Sequence, residues 1–530
     1  IVLLTSIFAI LIAVYSLVFV STKKQIFNYY PFFLITLGCT IGAVLADNLL
    51  LFIFFWGVLG FTLYKLIKGQ DEESSAAAKK TLIIIGSSDG LMILGIAFIW
   101  QLAGSLNMSE LNIATNSSIA TTAFIMLLIG SFAKAGAFPF HTWIPDYSKN
   151  APASSTAYLP ASLDKLLGIY FLTRICIDVF TLNEILTLIL LIIGVLTIIF
   201  AVMMALIQHN FKKLLGFHAV SQVGYMVVGI VIATPLGIAA GLFHMVNNAI
   251  YKSGLFLTAG SVQHQTGKED LDETGGLSKN MPITFIAALI FALAISGIPP
   301  FNGFASKWMI YQSIIDFGKV GTGIASQLWI VWLALAVLGS ALTLASFIKF
   351  ISGIFLGRRK EEFNTIKEVN ILMWLPKLIL ALTCIAFGVF ATSWVVPKLF
   401  QPYLGEISFP GIWQSTTVGI LILISILLGF LVYLIGNLKN MRTADSFIGG
   451  EKLHDSAGFQ VTDFYNTIRE LGPLKWLYEK AEKRWFDLYD LLKQLFYGIH
   501  IVFSKMHTGV LTTYAIWIFA GFIILLLCLL

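Results

Sequence analysis

Long apolar runs separated by short polar segments recur along the whole chain. A run of about 20 apolar residues is long enough to cross the hydrocarbon core of a bilayer as a helix, and the pattern predicts about fifteen such spans. They lie near residues 2–20, 31–46, 48–67, 81–102, 119–138, 155–179, 183–208, 213–233, 236–262, 283–299, 303–316, 325–356, 371–393, 412–436 and 511–530. The expected fold is therefore all-α: a polytopic bundle of transmembrane helices.

Two clusters of prolines interrupt this pattern: Pro139, Pro145 and Pro152 in the first half, Pro299 and Pro300 in the second. Proline removes a helical donor and clashes with the preceding turn, and backbone groups freed within a membrane need protein or water partners. Broken helices in corresponding halves of a transporter mark an ion pathway. We therefore predict two inverted repeats, each with a broken helix. A plain loop at each cluster is the alternative.

The same pattern divides the chain into segments. We predict an N-terminal transmembrane helix at 1–29, a first repeat at 30–180, a second repeat at 181–356, additional transmembrane helices at 357–440, an amphipathic segment at 441–510 and a terminal transmembrane helix at 511–530. The 441–510 segment mixes charged residues with Trp476, Trp485 and Phe496, which is typical of a helix lying on the membrane or against a neighbouring subunit. Because the first residue is Ile1, we expect the true start of the chain to precede it.

Composition narrows the class of protein further. The chain is 58% hydrophobic and only 12% charged, which excludes a soluble protein of 530 residues. Its net charge of +6 does not indicate nucleic acid, because the basic residues lie mainly in loops. The 21–30 and 68–80 loops hold lysines, whereas the 103–118 loop holds none. This bias predicts that the first two loops lie on the cytoplasmic side of the membrane. We expect that membrane to be the inner membrane of a bacterial or archaeal cell.

The sequence contains no signal for a cofactor. Its four cysteines stand far apart without a CxxC pair, so no iron–sulfur or zinc site is expected. It also lacks a glycine-rich phosphate loop. We expect no metal, redox cofactor or nucleotide in this chain, and no catalytic residue.

Several ionisable residues lie within the apolar runs. Lys134 precedes the first proline cluster, Asp164 and Lys165 are adjacent in a later run, and Lys307 follows the second cluster. A charge in the membrane interior is costly unless it is solvated or paired, so such residues mark ion pathways. The alternatives are that Lys134 extends to the interface and that Asp164 and Lys165 form a salt bridge that only packs helices.

A row of polar residues gives the strongest pattern. His244, Asn248 and Lys252 are spaced at i, i+4 and i+8, so they line one face of a helix over about 12 Å. This arrangement is typical of a proton wire, and a polar helix–helix contact is the alternative. His218 and Gln222, one turn apart, are predicted to share a water chain.

These residues occur in motifs that resemble a known family. The matching stretches are Lys134, Phe138–Asp146, Ala151–Pro152, Ser221–Met226, His244–Lys252 and Gly297–Lys307. Together they are similar to the antiporter-like, proton-translocating subunits of respiratory complex I, with relatives in Mrp-type cation/proton antiporters and membrane-bound hydrogenases. The resemblance covers about residues 30–350 and is weaker in the tail, at 447–451, 463–465 and 507–509.

The resemblance implies roles for individual residues. Lys134 and Lys252 would be the central proton carriers, Lys307 would lie near the far exit, and Lys165 would match a lysine that some members carry in the next helix. With His218 and His244 they would form the proton pathway.

One departure from the family concerns the first lysine. The family usually has Trp-Glu where this chain has Trp56-Gly57. We hypothesise that Asp89, with Asp164, replaces that glutamate in tuning Lys134. The alternative is that the first half is silent and only Lys252 and Lys307 conduct.

The implied function is proton translocation in a redox-driven membrane complex similar to NADH:quinone oxidoreductase or to a membrane-bound hydrogenase. The chain would be a non-catalytic pumping subunit of an oxidoreductase, with other membrane subunits and redox subunits as partners. Alternatives are an Mrp-type cation/proton antiporter subunit, a proton-gradient-coupled subunit of an uptake system such as inorganic carbon transport, and a non-conducting scaffold.

Overall fold

Helices make up almost all of the protein. The computed structural model describes residues 1–20, 23–67, 71–357, 360–411, 413–435, 462 and 468–529. Two compact units are present, Ile1–Lys475 and Trp476–Leu530. Every structural statement below concerns these described residues.

The first half of the chain contains these elements: α1 (Val2–Phe19), α2 (Lys23–Leu45), α3 (Leu49–Ile67), α4 (Glu72–Ala103), β1 (Ile113–Ala114), α5 (Ser118–Ala135), α6 (Trp143–Asn150), α7 (Ala153–Tyr158), α8 (Asp164–Thr173), β2 (Phe180–Thr181), α9 (Glu184–Leu206), α10 (Phe211–Val231) and α11 (Pro235–Thr266). Stretches of π-helix, Leu159–Leu163 and Arg174–Val179, flank α8. The two short strands pair in parallel.

The rest of the chain contains α12 (Pro282–Ser296), α13 (Asn302–Val320), α14 (Ile324–Gln327), α15 (Trp329–Phe355), α16 (Ile371–Val389), α17 (Val396–Leu399), α18 (Gln401–Leu404), α19 (Ser415–Ile435), α20 (Gly472–Glu482), α21 (Leu488–Met506) and α22 (Leu511–Leu529). Another π-helical stretch, Ala391–Val395, precedes α17.

The helices confirm the predicted membrane architecture. Within the described residues, 11 helices are long and apolar enough to cross a membrane: α1 to α5, α9, α10, α15, α16, α19 and α22. The remaining predicted spans are also helical. The 155–179 span is interrupted by π-helix, α11 carries the polar row, α12 has only 15 residues, and α13 includes Lys307. The chain is a multi-pass integral membrane protein.

Polar residues begin several of these helices. The side chains of Asp71, Asn183 and Asn210 each accept a hydrogen bond from a main-chain N–H in the first turn of α4, α9 and α10. Such N-caps satisfy donors that the helix itself leaves unpaired. Thr234 does the same for α11, with Pro235 in the first turn.

Both predicted helix breaks are present. The first lies between α5 and α6, where Gly136 has φ 82°. The second lies between α12 and α13, where Gly297 has φ 80°. Each break contains a cis X-Pro bond, Phe138-Pro139 or Pro299-Pro300. The positive φ angles of Gly136 and Gly297 are left-handed, and glycine adopts this conformation without the steric cost that other residues have. That the two halves are inverted repeats stays a prediction.

The centre of the first unit is formed by α10 and α11. The apolar window of α10 is 100% buried inside the protein, whereas that of α19 is 6% buried. Helices α9, α6, α13 and α16 pack around this central pair. His244, Asn248 and Lys252, the predicted polar row of α11, are therefore surrounded by protein and not by lipid.

The second unit contains α21, α22 and most of α20. In α21, Asp490 and Lys493 share the helix with Leu495 and Phe496, so the predicted amphipathic helix is present in this stretch. Most of the 441–471 part of the predicted segment, including the motif at 447–451 and that at 463–465, lies outside the described residues.

Candidate functional site

The four predicted lysines all lie inside the protein. Lys134, Lys165 and Lys252 have no exposed surface, and Lys307 is 2% exposed. Lys134 therefore points into the bundle and does not reach an aqueous interface.

Lys134 is held by Trp56 of α3. Its ammonium donates to the main-chain carbonyl of Trp56 at 3.3 Å and lies 4.8 Å from the centre of the Trp56 ring. The ring face is electron-rich and attracts a cation. Neither of these two contacts neutralises the charge of the ammonium.

Asp89 lies close to the same tryptophan. The Trp56 indole N–H donates to the Asp89 carboxylate at 2.9 Å, and Asp89 also interacts electrostatically with Lys134. Gly57 is exposed, and a Cβ atom built there meets nothing within 4 Å. A glutamate at 57 would thus begin on the outer side of α3, whereas Asp89 is partly buried and contacts the buried Trp56. That Asp89 tunes Lys134 stays a prediction, supported by this geometry.

Lys165 and Lys307 lie beside the two helix breaks. Lys165 donates to the carbonyl of Ala135 at 2.8 Å, and Lys307 donates to the carbonyl of Ile295 at 2.9 Å. Both carbonyls are in the last turn of a helix that ends at a break. The carbonyl end of a helix carries partial negative charge, which stabilises a nearby cation.

Asp164 lies among the lysines of the first half. It is 2% exposed and interacts electrostatically with Lys134 and Lys165. One of its carboxylate oxygens, Oδ2, has no hydrogen-bond partner among the described residues. The acid next to Lys165 in sequence is therefore shared between two lysines in space.

The second half contains Lys252 and His218 near each other. Lys252 donates to the carbonyl of Leu215 at 2.8 Å and lies 5.7 Å from the Phe347 ring centre. His218 contacts Ser346 at 2.7 Å between Nε2 and Oγ, and it interacts electrostatically with Lys252.

His244 links three helices. Its Nε2 lies 3.1 Å from the Gln222 side-chain oxygen on α10, and its Nδ1 lies 2.9 Å from the Ser306 hydroxyl on α13. Ser306 precedes Lys307, so His244 is adjacent to the second break. The sequence predicted that His218 and Gln222 share one chain. The direct hydrogen bonds join Gln222 to His244 and His218 to Ser346, and the shared water chain stays a prediction.

Polar atoms without protein partners accompany these residues. Buried side-chain atoms that lack a hydrogen bond include Asp164 Oδ2, His218 Nδ1, Gln222 Nε2 and both amide atoms of Asn248. Buried polar groups are nearly always hydrogen-bonded to protein or to internal water. These atoms lack a protein partner among the described residues, so each can bind internal water.

A comparison with protein families shows which family the chain belongs to. The model of the family described as "NADH:quinone oxidoreductase/Mrp antiporter, TM" matches residues 46–326, which is more than half of the chain. The matched residues include the lysine row, by which we mean Lys134, Lys165, Lys252 and Lys307. The chain belongs to this family. The resemblance inferred from the motifs is thereby confirmed, and the four lysines predicted from the sequence lie within the matched residues.

Curated relatives match about three quarters of the chain. The chain is 34% identical over 402 residues to the Na(+)/H(+) antiporter subunit A1 of Staphylococcus haemolyticus, covering 72% of this chain and 50% of that protein. It is 33% identical over 427 residues to the subunit A1 of Staphylococcus saprophyticus, covering 77% of this chain and 52% of that protein. The chain thus spans about half the length of these relatives.

Solved structures share the fold. A chain of the Mrp complex from Dietzia sp. superposes with a TM-score of 0.68 at 22% identity, covering 76% of this chain and 83% of that chain. A chain of the membrane-bound sulfane sulfur reductase, an archaeal respiratory membrane complex, gives a TM-score of 0.78 at 23% identity, covering 99% and 87%. Because the two identities are only 22% and 23%, these matches show the fold of the chain and nothing further about it.

Two ion pairs connect the family region at one end of the bundle. Lys80 of α4 pairs with Asp146 of α6 at 2.8 Å, and Lys212 of α10 pairs with Glu269 after α11 at 2.8 Å. Both lysines are almost fully buried while both acids are partly exposed. Lys212 is thus a structural partner of the α11–α12 loop.

Two further buried lysines were missed by sequence reasoning. Lys349 of α15 donates to the carbonyls of residues 205, 206 and 208 at the end of α9, and Lys377 of α16 donates to two side-chain hydroxyls. Neither lies in a family motif. The available signal was a single lysine within an otherwise apolar run, the same signal that drew attention to Lys134.

Proposed function

We propose that this chain is a proton-translocating subunit of a multi-subunit membrane complex. The observation that carries the proposal is the row of buried lysines, each of which donates to a main-chain carbonyl. A carbonyl accepts a hydrogen bond from both the ammonium and the neutral amine of lysine. Each lysine can therefore lose and regain a proton while its side chain keeps the hydrogen bond to the carbonyl.

Charge coupling between neighbours would move the proton on. Lys252 interacts electrostatically with Lys165, which links the first half of the row to the second. His218 interacts with both Lys252 and Lys307. Two unit charges about 7 Å apart interact by about 2.4 kcal/mol at an effective dielectric constant of about 20. A coupling of that size changes a protonation equilibrium by more than tenfold.

A redox reaction in partner subunits is the proposed energy source. In support, the fold matches a chain of an archaeal respiratory complex over 99% of this chain, including the region after residue 326. Under this proposal the electron donor, acceptor and redox cofactors belong to other subunits of an NADH:quinone oxidoreductase-like or hydrogenase-like complex. The role of this chain is to carry protons.

Exchange of Na⁺ for protons is the second candidate. It is favoured by the identity of 34% to a protein named as a Na(+)/H(+) antiporter subunit. The same lysines would then carry protons in the opposite direction, down the proton gradient, and this gradient would supply the energy for cation movement elsewhere in the complex. Partners are required in both cases.

The experiment is to purify the native complex, identify its subunits and assay it in everted membrane vesicles with a pH-sensitive dye. Redox drive predicts co-purifying iron–sulfur or flavin subunits and acidification of the lumen when an electron donor is added. Exchange predicts alkalinisation when NaCl is added to vesicles that already hold a proton gradient. A chain that purifies alone and supports neither response would contradict the proposal.

A further inference from the structure

The buried lysine of α16 has an unusual set of partners. Lys377 has no exposed surface, and its ammonium donates to the Ser261 hydroxyl of α11 at 2.7 Å and to the Thr284 hydroxyl of α12 at 2.8 Å. An ammonium in apolar surroundings normally has a carboxylate in direct contact. The direct partners of Lys377 are instead hydroxyls, which both accept and donate protons.

A carboxylate lies one hydroxyl further out. The Thr284 hydroxyl donates to one oxygen of Glu368 at 2.6 Å. The other oxygen of Glu368 accepts from the main-chain N–H groups of Ile283 at 2.9 Å and of Thr284 at 3.0 Å. Glu368 is partly exposed, in the loop before α16. An unbroken chain of hydrogen bonds therefore runs from a partly exposed carboxylate to a fully buried amine.

The chain of hydrogen bonds from Glu368 to Lys377 lies on the opposite side of α11 from Lys252. Ser261 comes nine residues after Lys252, which is about two and a half turns of helix, so the two side chains leave opposite faces. Lys252 donates to Leu215 on α10, whereas Ser261 contacts Lys377 on α16. Lys377 is thus a separate buried base and not an extension of the row.

Polar groups continue inward along the same side of α11. Thr258, one turn before Ser261, is fully buried, and its hydroxyl has no hydrogen-bond partner within the part of the chain that the structure describes. Tyr251 is seven residues before Thr258 and shares its face. The Tyr251 hydroxyl lies 3.5 Å from the Gln222 side-chain oxygen, which contacts His244. This line of groups leads from Lys377 towards His244.

We propose that Lys377 is an additional proton-carrying residue, loaded from Glu368 through the Thr284 hydroxyl and delivering towards His244. In the loading step, the protonated Glu368 gives its proton to the Thr284 oxygen while the Thr284 proton passes to the neutral Lys377 amine. The products are a carboxylate and an ammonium, so charge and atoms balance. The step rests on the proposed function, because it supplies protons to that pathway.

A fixed structural contact is the competing explanation, and the choice of variants separates the two. Glu368→Gln keeps an oxygen that accepts from the α12 N–H groups but cannot carry a proton. Thr284→Val keeps the shape of threonine without its hydroxyl, and Thr284→Ser keeps the hydroxyl as the matched control. All three are assayed as the assembled complex in everted vesicles, with the ion or electron donor that drives the wild type.

The proposal predicts that Glu368→Gln and Thr284→Val each lower the initial rate of proton translocation about tenfold or more, while Thr284→Ser stays within about twofold. Added imidazole, a small proton carrier, restores the rate of Glu368→Gln because it replaces the missing carboxyl group. A structural role would not respond to imidazole.

Two results would overturn it: wild-type rates in both Glu368→Gln and Thr284→Val, or a loss in Glu368→Gln that imidazole leaves unchanged. If Lys377→Met does not assemble, these variants still decide the matter. Failure here is distinct from failure of the proposed function, because Lys252→Met would continue to abolish translocation.

Discussion

Lys165 and Lys307 occupy equivalent positions beside two different helix breaks. Each ammonium donates to a carbonyl in the last turn of the broken helix, at 2.8 Å and 2.9 Å. A Cβ atom placed on the glycine that ends each helix would lie 3.7 Å from Lys165 Nζ at Gly136 and 3.8 Å from Lys307 Nζ at Gly297. The two breaks thus present the same local environment to a lysine, although Lys165 comes from a neighbouring helix and Lys307 from the continuation of the broken one.

The second break depends on close backbone packing at Gly303. A Cβ atom there would lie 1.8 Å from the carbonyl oxygen of Ala294, so Gly303→Ala forces the start of α13 away from α12. We expect a loss of about 2 kcal/mol or more in stability, seen as a lower Tm of the purified complex. Gly86→Ala in α4 is the control, because a Cβ atom at Gly86 meets nothing within 4 Å. Equal Tm values for the two variants would contradict this role.

Asp89 is predicted to tune Lys134 across Trp56. Asp89→Asn removes the charge but keeps an acceptor for the Trp56 N–H, so we expect proton translocation to fall by about fivefold to tenfold through lost electrostatic coupling. Trp56→Phe removes the N–H donor and keeps a ring under Lys134, and its effect should be smaller. Rates are measured in everted vesicles. A wild-type rate in Asp89→Asn would rule out the tuning role.

The ion pair between Lys80 and Asp146 is predicted to hold α6 against α4. Removing one partner leaves the other charge poorly compensated, so Lys80→Met and Asp146→Asn should each destabilise the complex by about 2 kcal/mol. The double variant should lose less than the sum, with a coupling of about 1–2 kcal/mol. Thermal unfolding of the four proteins in one detergent measures the cycle. Strict additivity would show that the pair contributes nothing.

Apolar periodicity alone predicted most of the fold. A helix in lipid must satisfy its own backbone groups, so each apolar run of sufficient length has one structural solution. The breaks followed from Pro139 and Pro300, because proline cannot continue a helix. The family followed from the motifs around Lys134, Lys252 and Lys307.

Side-chain pairing was less predictable. His218 and Gln222 are one turn apart, yet they bond to α15 and α11 respectively. Helix α10 is buried on all sides, so neighbouring positions on one face meet different helices. Lys377 was missed for a related reason: its partners come from α11 and α12, more than 90 residues away in sequence.

Lys252 tests the account most directly. It is fully buried and donates to the Leu215 carbonyl, and methionine has a similar volume without the charge. Lys349→Met, which removes a buried lysine outside the row, is the matched control. We predict that Lys252→Met assembles normally and translocates protons at less than about a tenth of the wild-type rate. Complexes that assemble with Lys349→Met are expected to continue to translocate protons. Wild-type proton stoichiometry in an assembled Lys252→Met complex would contradict the central claim.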